Sequence, residues 1–364
     1  MLFDSTVRKE LARSFGVTLV VILTIVLTMM LIRTLGQAAI GRISPQDVAL
    51  LMGYIALGYL PIVLALSLFI AVVATLGRMY RDSEMAIWFA SGVGLTRFVR
   101  PVLRVSLPVL LVIALLMLFV WPWENRRSTE MKERFEKRSD LSRVAPGQFQ
   151  TSSDGSKVFF IERDSQDGRT GRNVFILSTL ADSESVTSAR SGHIDLEGED
   201  RYLVLERGQR NEQNQRSGEK TLSRFESYRV LAGERASTSA DELPPKALRS
   251  IELLRLPTPR NQGEMVWRLG LVLGAANLTL LGVGLSASNP RRASNWNLLF
   301  ALLSFVVYYN LINLSQAWVA GGKLGMGTGL VLLHGGAFVL ALALLWWREQ
   351  ANARMAWRRP KAPA

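Results

Sequence analysis

FGVTLVVILTIVLTMMLIRTL, residues 15–35, carries a single charge, Arg33, in an otherwise apolar run. A helix rises ~1.5 Å per residue, so about 20 such residues cross the ~30 Å hydrocarbon core of a bilayer. This stretch reads as a membrane span. Five more runs read the same way: residues 48–76, 102–121, 266–287, 298–319 and 328–347. The second has surplus length and contains Pro61, so a tilt or kink is expected there. The chain of 364 residues is 49% hydrophobic with a mean hydropathy of +0.18, and its apolar residues are clustered rather than spread. That excludes an ordinary soluble protein. GQAAIG follows the first run and resembles a signal-peptide cleavage site. A signal core is usually only ~7–15 residues, so the longer run is read as a retained span.

Six spans put both ends of the chain on one side. Arg8, Lys9 and Arg13 lie before the first span; Arg78, Arg81, Arg97, Arg100 and Arg104 lie between the second and third. Arg291 and Arg292 follow the fourth, and Arg348, Arg354, Arg358, Arg359 and Lys361 follow the sixth. The opposite helix ends hold only Arg33, Arg42, Arg268 and Lys323. By the positive-inside rule the first set is cytoplasmic. Residues 124–262 hold 24 of the 43 basic and 23 of the 30 acidic residues, so the net charge of +13 sits almost wholly at the membrane boundaries. The high charge therefore calls for no nucleic-acid partner.

The spans divide the chain into three segments. Residues 1–123 hold three spans; 124–262 form one hydrophilic insert on the non-cytoplasmic side; 263–364 hold three more spans and a basic tail. The insert opens with WENRRSTEMKERFEKRSDL, which continues the third helix and breaks before Pro146-Gly147. Strand signals follow. KVFFIE (157–162) and RNVFILS (172–178) flank a turn-rich segment and read as a hairpin; DRYLVLERG (200–208) and SRFESYRVL (223–231) are two further strands. VFFI and VFIL lack clean alternation, so both faces are expected to be covered. Two readings stay open, a plain sandwich core and a β fold with an apolar groove for lipid chains.

Several chemistries are excluded. No cysteine is present, so neither disulfides nor thiolate metal sites exist. Two isolated histidines, His193 and His334, make no metal triad; His193 reads as a strand or turn residue and His334 as a helix-packing residue beside two glycines. The G-x-x-x-x-G-K-[ST] and G-x-S-x-G motifs are missing. The expectation is a chain without catalytic residues, metal or cofactor. Gly270 and Gly274, then Gly321, Gly325 and Gly329, recur at the spacing that lets helices approach in lipid.

Between spans two and three lies RMYRDSEMAIWFASGVGLTR (78–97). Asp82 and Ser83 suit a helix start, and Gly92 suits its end. Met85, Trp88 and Phe89 fall on one face. An interfacial helix resting on headgroups and a knob for a cytoplasmic partner both fit; the acid Glu84 favours the partner, because anionic lipids repel it.

The order of three spans, a β insert and three spans resembles the LptF/LptG (YjgP/YjgQ) family of lipopolysaccharide-export permeases. The residues that carry the likeness are VRKELARSF (7–15), MLIRTLGQAAIGRISPQDV (30–48), YRDSEMAIWFASG (80–92) and YYNLINLSQAWV (308–319). The likeness spans nearly the whole chain and is weakest in the insert. It implies a polytopic α-helical protein of the bacterial inner membrane with a periplasmic jelly-roll-like β domain. It also implies partners: a second, LptG-like permease, an LptB-like ATPase dimer and an LptC-like bridge protein, with lipopolysaccharide as cargo. By the same resemblance the helix near 82–91 couples to the ATPase, with Asp82 and Glu84 as acidic contacts and Trp88 and Phe89 packing. Arg33, Arg42, Arg268 and Lys323 would meet the lipid headgroup. Phe160, Phe175 and Leu205 would line the lipid path through the β domain, and spans one and five would form a lateral gate. A subunit that only transmits force from an ATPase to periplasmic partners is the alternative; the 3+3 layout speaks against it.

Overall fold

The computed structural model describes residues 2–39, 47–137, 149–151, 157–163, 170–179, 183–197, 200–214, 218–233, 243–287 and 296–357. The chain divides into two compact units. One comprises Met1–Met131 and Leu243–Ala364, the other Lys132–Glu242.

The first unit is helical. α1 spans Leu2–Ala39 and α2 spans Val48–Arg81, unbroken through Pro61. A short α3, Glu84–Ala90, follows. The third long helix begins as a 3₁₀ turn at Leu95–Phe98, continues as α4 (Val99–Leu115), widens into a π turn at Leu116–Val120 and runs on as α5 (Trp121–Lys137). After the β unit come α6 (Ser250–Arg255), α7 (Pro259–Leu285) and α8 (Trp296–Ala320). α9 (Met326–Leu330), a second π turn and α10 (Gly336–Trp357) close the unit. Six of these helical stretches are long and apolar enough to cross a membrane, three before the sheet and three after it.

At the start of α7 Thr258 caps the helix by accepting the Asn261 amide, and Pro259 takes the first position, where no amide is needed. It forms the axis of the bundle. Trp267, Leu271, Ala275 and Leu278 pack against Phe69 and Val73 of α2 and against Phe305 and Ile312 of α8. At the opposite end a second core joins Val7 and Leu11 of α1, Leu76 and Met79 of α2, Met85 of α3 and Phe98. A Cβ on Gly274 would stand 2.9 Å from Ile312 Cδ1, so this glycine allows α7 and α8 to close together.

The second unit is one antiparallel sheet: β1 (Phe149–Thr151), β2 (Lys157–Arg163), β3 (Thr170–Thr179), β4 (Ser183–Glu197), β5 (Asp200–Asn214) and β6 (Lys220–Gly233). The expected hairpin is the β2–β3 pair, though its turn lies outside the described residues. Strand order follows sequence order throughout. This is a meander among the described strands; a jelly roll would be two sheets linked by Greek-key crossings. Val174, Ile176, Ala189, Leu203 and Leu205 form its core.

Candidate functional site

Three regions carry the residues singled out by sequence. The first is the end of α1 with its neighbours. Arg33 is exposed and forms no ion pair among the described residues, and Ile32 beside it is 67% exposed. The apolar stretch of α1 is only 6% buried within the chain. Val17, Val21, Ile25 and Met29 all face outward. α1 rests on α2 and α4, while α8 rests on α7 and α2. Lys323 is exposed in the turn after α8, where Gly322 adopts a left-handed φ of +71°. Arg42 lies outside the described residues.

Arg268 must be removed from this set. It is fully buried, and its guanidinium is committed on every side. Nε donates to Glu264 Oε1 at 2.9 Å, one terminal nitrogen donates to Ser250 Oγ, and the other meets the carbonyls of Pro245, Lys246 and Leu248. Glu264 also accepts from Trp121 Nε1. Ser250 donates in turn to Leu118 O in the π turn, where the widened helix leaves a carbonyl to be satisfied. This arginine pins the returning chain onto the bundle. Its position near a helix end resembled that of Arg33; what differed was an acid four residues earlier on the same helix.

The second region is α3. Gly92 ends it as expected, with φ +85° and the Val93 amide bonded back to Trp88 O. Its start differs from expectation. Asp82 terminates α2, and Ser83 precedes α3 in a left-handed conformation (φ 61°) without a side-chain cap. The face of Met85, Trp88 and Phe89 exists, but it turns inward: Met85 is buried and the two aromatics are half-buried against the second core. Trp88 and Phe89 therefore pack on this chain. The outward apolar residue is Ile87, 69% exposed, which sequence reasoning missed. The same helical periodicity points to it, because it lies opposite the inward face. Glu84 is half-buried and pairs with Arg78 at 3.4 Å. Arg78 also holds Asp82 at 3.3 Å and Glu10 of α1. One guanidinium thus ties α3 to both α2 and α1.

The third region is a cleft of about 1200 Å³ in the β unit. Phe149, Phe160 and Phe175 stand in one row across β1–β3, opposite each other in register. Asn173 on β3 and Arg207 on β5 have left-handed φ values of 49°, and pairing skips both residues. The cleft lies along that line, with Phe160 and Phe175 in its lining together with Arg190 and Arg207. Leu205 is fully buried in the sheet's core and does not line the cleft. Tyr202–Leu205 is apolar at every position, so alternation gave no sign of which face Leu205 takes.

A further polar cluster lies inside the bundle. Asn277 of α7 donates to Tyr308 Oη and to His334 O, and Tyr308 Oη lies 2.8 Å from His334 Nδ1. His334 sits in the second π turn. It is more than the helix-packing residue expected, because it links three helices. Among the described residues no group of acids and histidines could hold a metal ion.

Comparison with known proteins fits these elements. Residues 6–348 match the model of the family described as lipopolysaccharide export system permease LptF/LptG. The lipopolysaccharide export system permease protein LptF of Escherichia coli (strain K12) is 28% identical over 341 residues, 93% of this chain and 92% of that one. The protein of the same name from Shigella flexneri matches to the same extent.

Proposed function

Because the chain belongs to the LptF/LptG family of lipopolysaccharide export permeases, we propose that it is one permease half of an ATP-driven exporter in the bacterial inner membrane. The half takes lipopolysaccharide from the outer leaflet and passes it to a periplasmic bridge. The observation that carries this reading is α1: an apolar helix face left exposed along the span, ending in the exposed Arg33, which has no ion pair among the described residues. An amphiphile with acyl chains and phosphates matches that order of surfaces. α1 and α8 both rest on α2, α1 also on α4 and α8 mainly on α7, and the lateral gate of spans one and five is built with a second, LptG-like permease.

α3 is the docking element for an LptB-like ATPase dimer in the cytoplasm. Its contact surface is Ile87 with Asp82, and Glu84 joins the contact from its ion pair with Arg78. Movement of α3 reaches α1 through Arg78 and Glu10, which connects ATP turnover to the helix that bears Arg33. Hydrolysis belongs to the partner, and this chain supplies no catalytic group. The periplasmic β unit receives the acyl chains in the cleft beside Phe160 and Phe175, and an LptC-like protein continues the path.

The test is photo-crosslinking in the assembled transporter. Probes at Ile32 and Phe175 should capture lipopolysaccharide, the first without ATP and the second only during ATP turnover. A subunit that only transmits force captures none at either position.

A further inference from the structure

A second crevice, about 700 Å³, lies in the helical unit between α5 and α6. Its lower wall is apolar. Phe119 is 67% exposed, Trp123 48% and Ile251 58%. Trp123 is held edge-on by Tyr54 of α2, with ring centroids 5.5 Å apart. Its upper wall is cationic, formed by Arg126, Arg127 and Arg249. Residues 119, 123, 126, 127 and 130 are spaced i, i+4, i+7, i+8 and i+11, so one stripe of a single helix passes from apolar to charged. Phe119 to Arg126 covers roughly 10 Å along the axis, about the distance from the edge of the hydrocarbon to a phosphate group.

The charges do not cancel. Arg126 and Arg127 share one acid, Glu130, at 3.1 Å each. Arg249 has no ion pair among the described residues. Among the charges that line the crevice two positive ones therefore remain over an apolar cavity; Glu252, outside the lining, accepts from the Arg249 backbone amide. Arginines that merely reach toward headgroups stand on an open helix surface. Here α6 brings Ile251 and Arg249 from the far side, which turns the surface into a crevice. We infer that this crevice binds an anionic phospholipid of the bilayer, with its phosphate between Arg126, Arg127 and Arg249 and the start of its chains against Phe119, Trp123 and Ile251. The volume suits a headgroup and the first part of its chains, and α1 with Arg33 is not among the elements lining it. The bound lipid is therefore a resident one and not the cargo. Basic pockets at the ends of membrane helices hold acidic headgroups in the same way.

The test uses the full chain in phosphatidylcholine vesicles that carry a trace of photoactivatable phosphatidylglycerol or, in parallel, photoactivatable phosphatidylcholine. Cross-linked peptides are mapped by mass spectrometry. The anionic probe should label Leu118–Glu130 and Ser250–Arg255 in preference to the neutral one. The combined change Arg126→Gln, Arg127→Gln and Arg249→Gln should reduce that preference by about fivefold per arginine, while the three lysine substitutions keep most of it. Ile251→Trp, which fills the cavity and leaves every charge, should abolish labelling of both peptides while melting remains unchanged. Equal labelling by the two probes, or labelling that survives Ile251→Trp, overturns the inference. Displacement by lipopolysaccharide but not by unlabelled phosphatidylglycerol also overturns it, and gives the crevice to the transported lipid.

Discussion

α1 and α7 are both long apolar helices, yet the chain treats them oppositely. Only 6% of the apolar stretch of α1 is buried within the protein, against 67% for α7. The difference lies in what interrupts their apolar runs. α7 carries Glu264, Arg268 and Asn277, all buried and all hydrogen-bonded across helices, together with glycines that face α2, α8 and α10. α1 carries threonines whose hydroxyls bond back to their own helix, Thr24 to Val20 O and Thr28 to Thr24 O. In lipid there is no hydrophobic drive between helices; close packing and cross-helix hydrogen bonds hold them together. α7 has both and serves as the axis. α1 lacks them over most of its length, which leaves it able to move and to face lipid or a second subunit.

The largest effect should come from breaking the axis. Arg268→Ala leaves Glu264 as an uncompensated buried charge and removes the donors from the carbonyls of Pro245, Lys246 and Leu248. A loss of ~3–5 kcal/mol is expected. Thermal unfolding of the purified protein measures it. Replacing both partners by apolar residues, Arg268→Met with Glu264→Leu, should recover much of the stability. An unaltered melt for Arg268→Ala alone would mean that α7 is not the axis.

A smaller effect separates glycines on the two helices. Gly274→Val drives a side chain into Ile312 and should cost about 1–3 kcal/mol. Gly16→Val on α1 meets nothing within 4 Å and should stay within about 0.5 kcal/mol of wild type. The same unfolding measurement compares the pair, and equal losses would erase the distinction. Smaller again is Tyr308→Phe. It removes one hydroxyl that serves Asn277 and faces His334, and such bonds within bilayers average about 0.6 kcal/mol.

The spans were legible because hydropathy and length settle them, and four of the six strands were legible from β-branched and aromatic runs. β4 was not. Its buried positions are Ser185, Thr187, Ala189 and Gly192, all small, so nothing in its composition marks a covered face. The same limit hid the direction of α3: periodicity gave the face of Met85, Trp88 and Phe89 but not whether the core or a partner would take it. Arg268 and Arg33 looked alike because both sit near the end of an apolar run. Only the fold joins Arg268 to Ser250 and to the carbonyls around residue 246.

Arg33 makes the last test, and it predicts the least change in stability. Its side chain is exposed, no ion pair involves it among the described residues, and its helix is scarcely buried. Arg33→Lys and Arg33→Glu should both melt within about 0.5 kcal/mol of wild type. All of their effect should appear in function. Residue 33 stands roughly 27 Å along the helix from Phe15, close to the outer headgroup layer. Arginine offers two parallel hydrogen bonds to a phosphate, and lysine offers a point charge without the fork. If Arg33 recognises the phosphates of the lipid, Arg33→Lys loses part of lipopolysaccharide capture at Ile32 and Arg33→Glu nearly all of it, with ATPase assembly intact. If it only reaches toward headgroups, a cation of either kind suffices and the lysine variant captures as much as wild type. Equal capture by all three would leave α1 an ordinary lipid-facing span, and the contrast with α7 would then be one of packing alone.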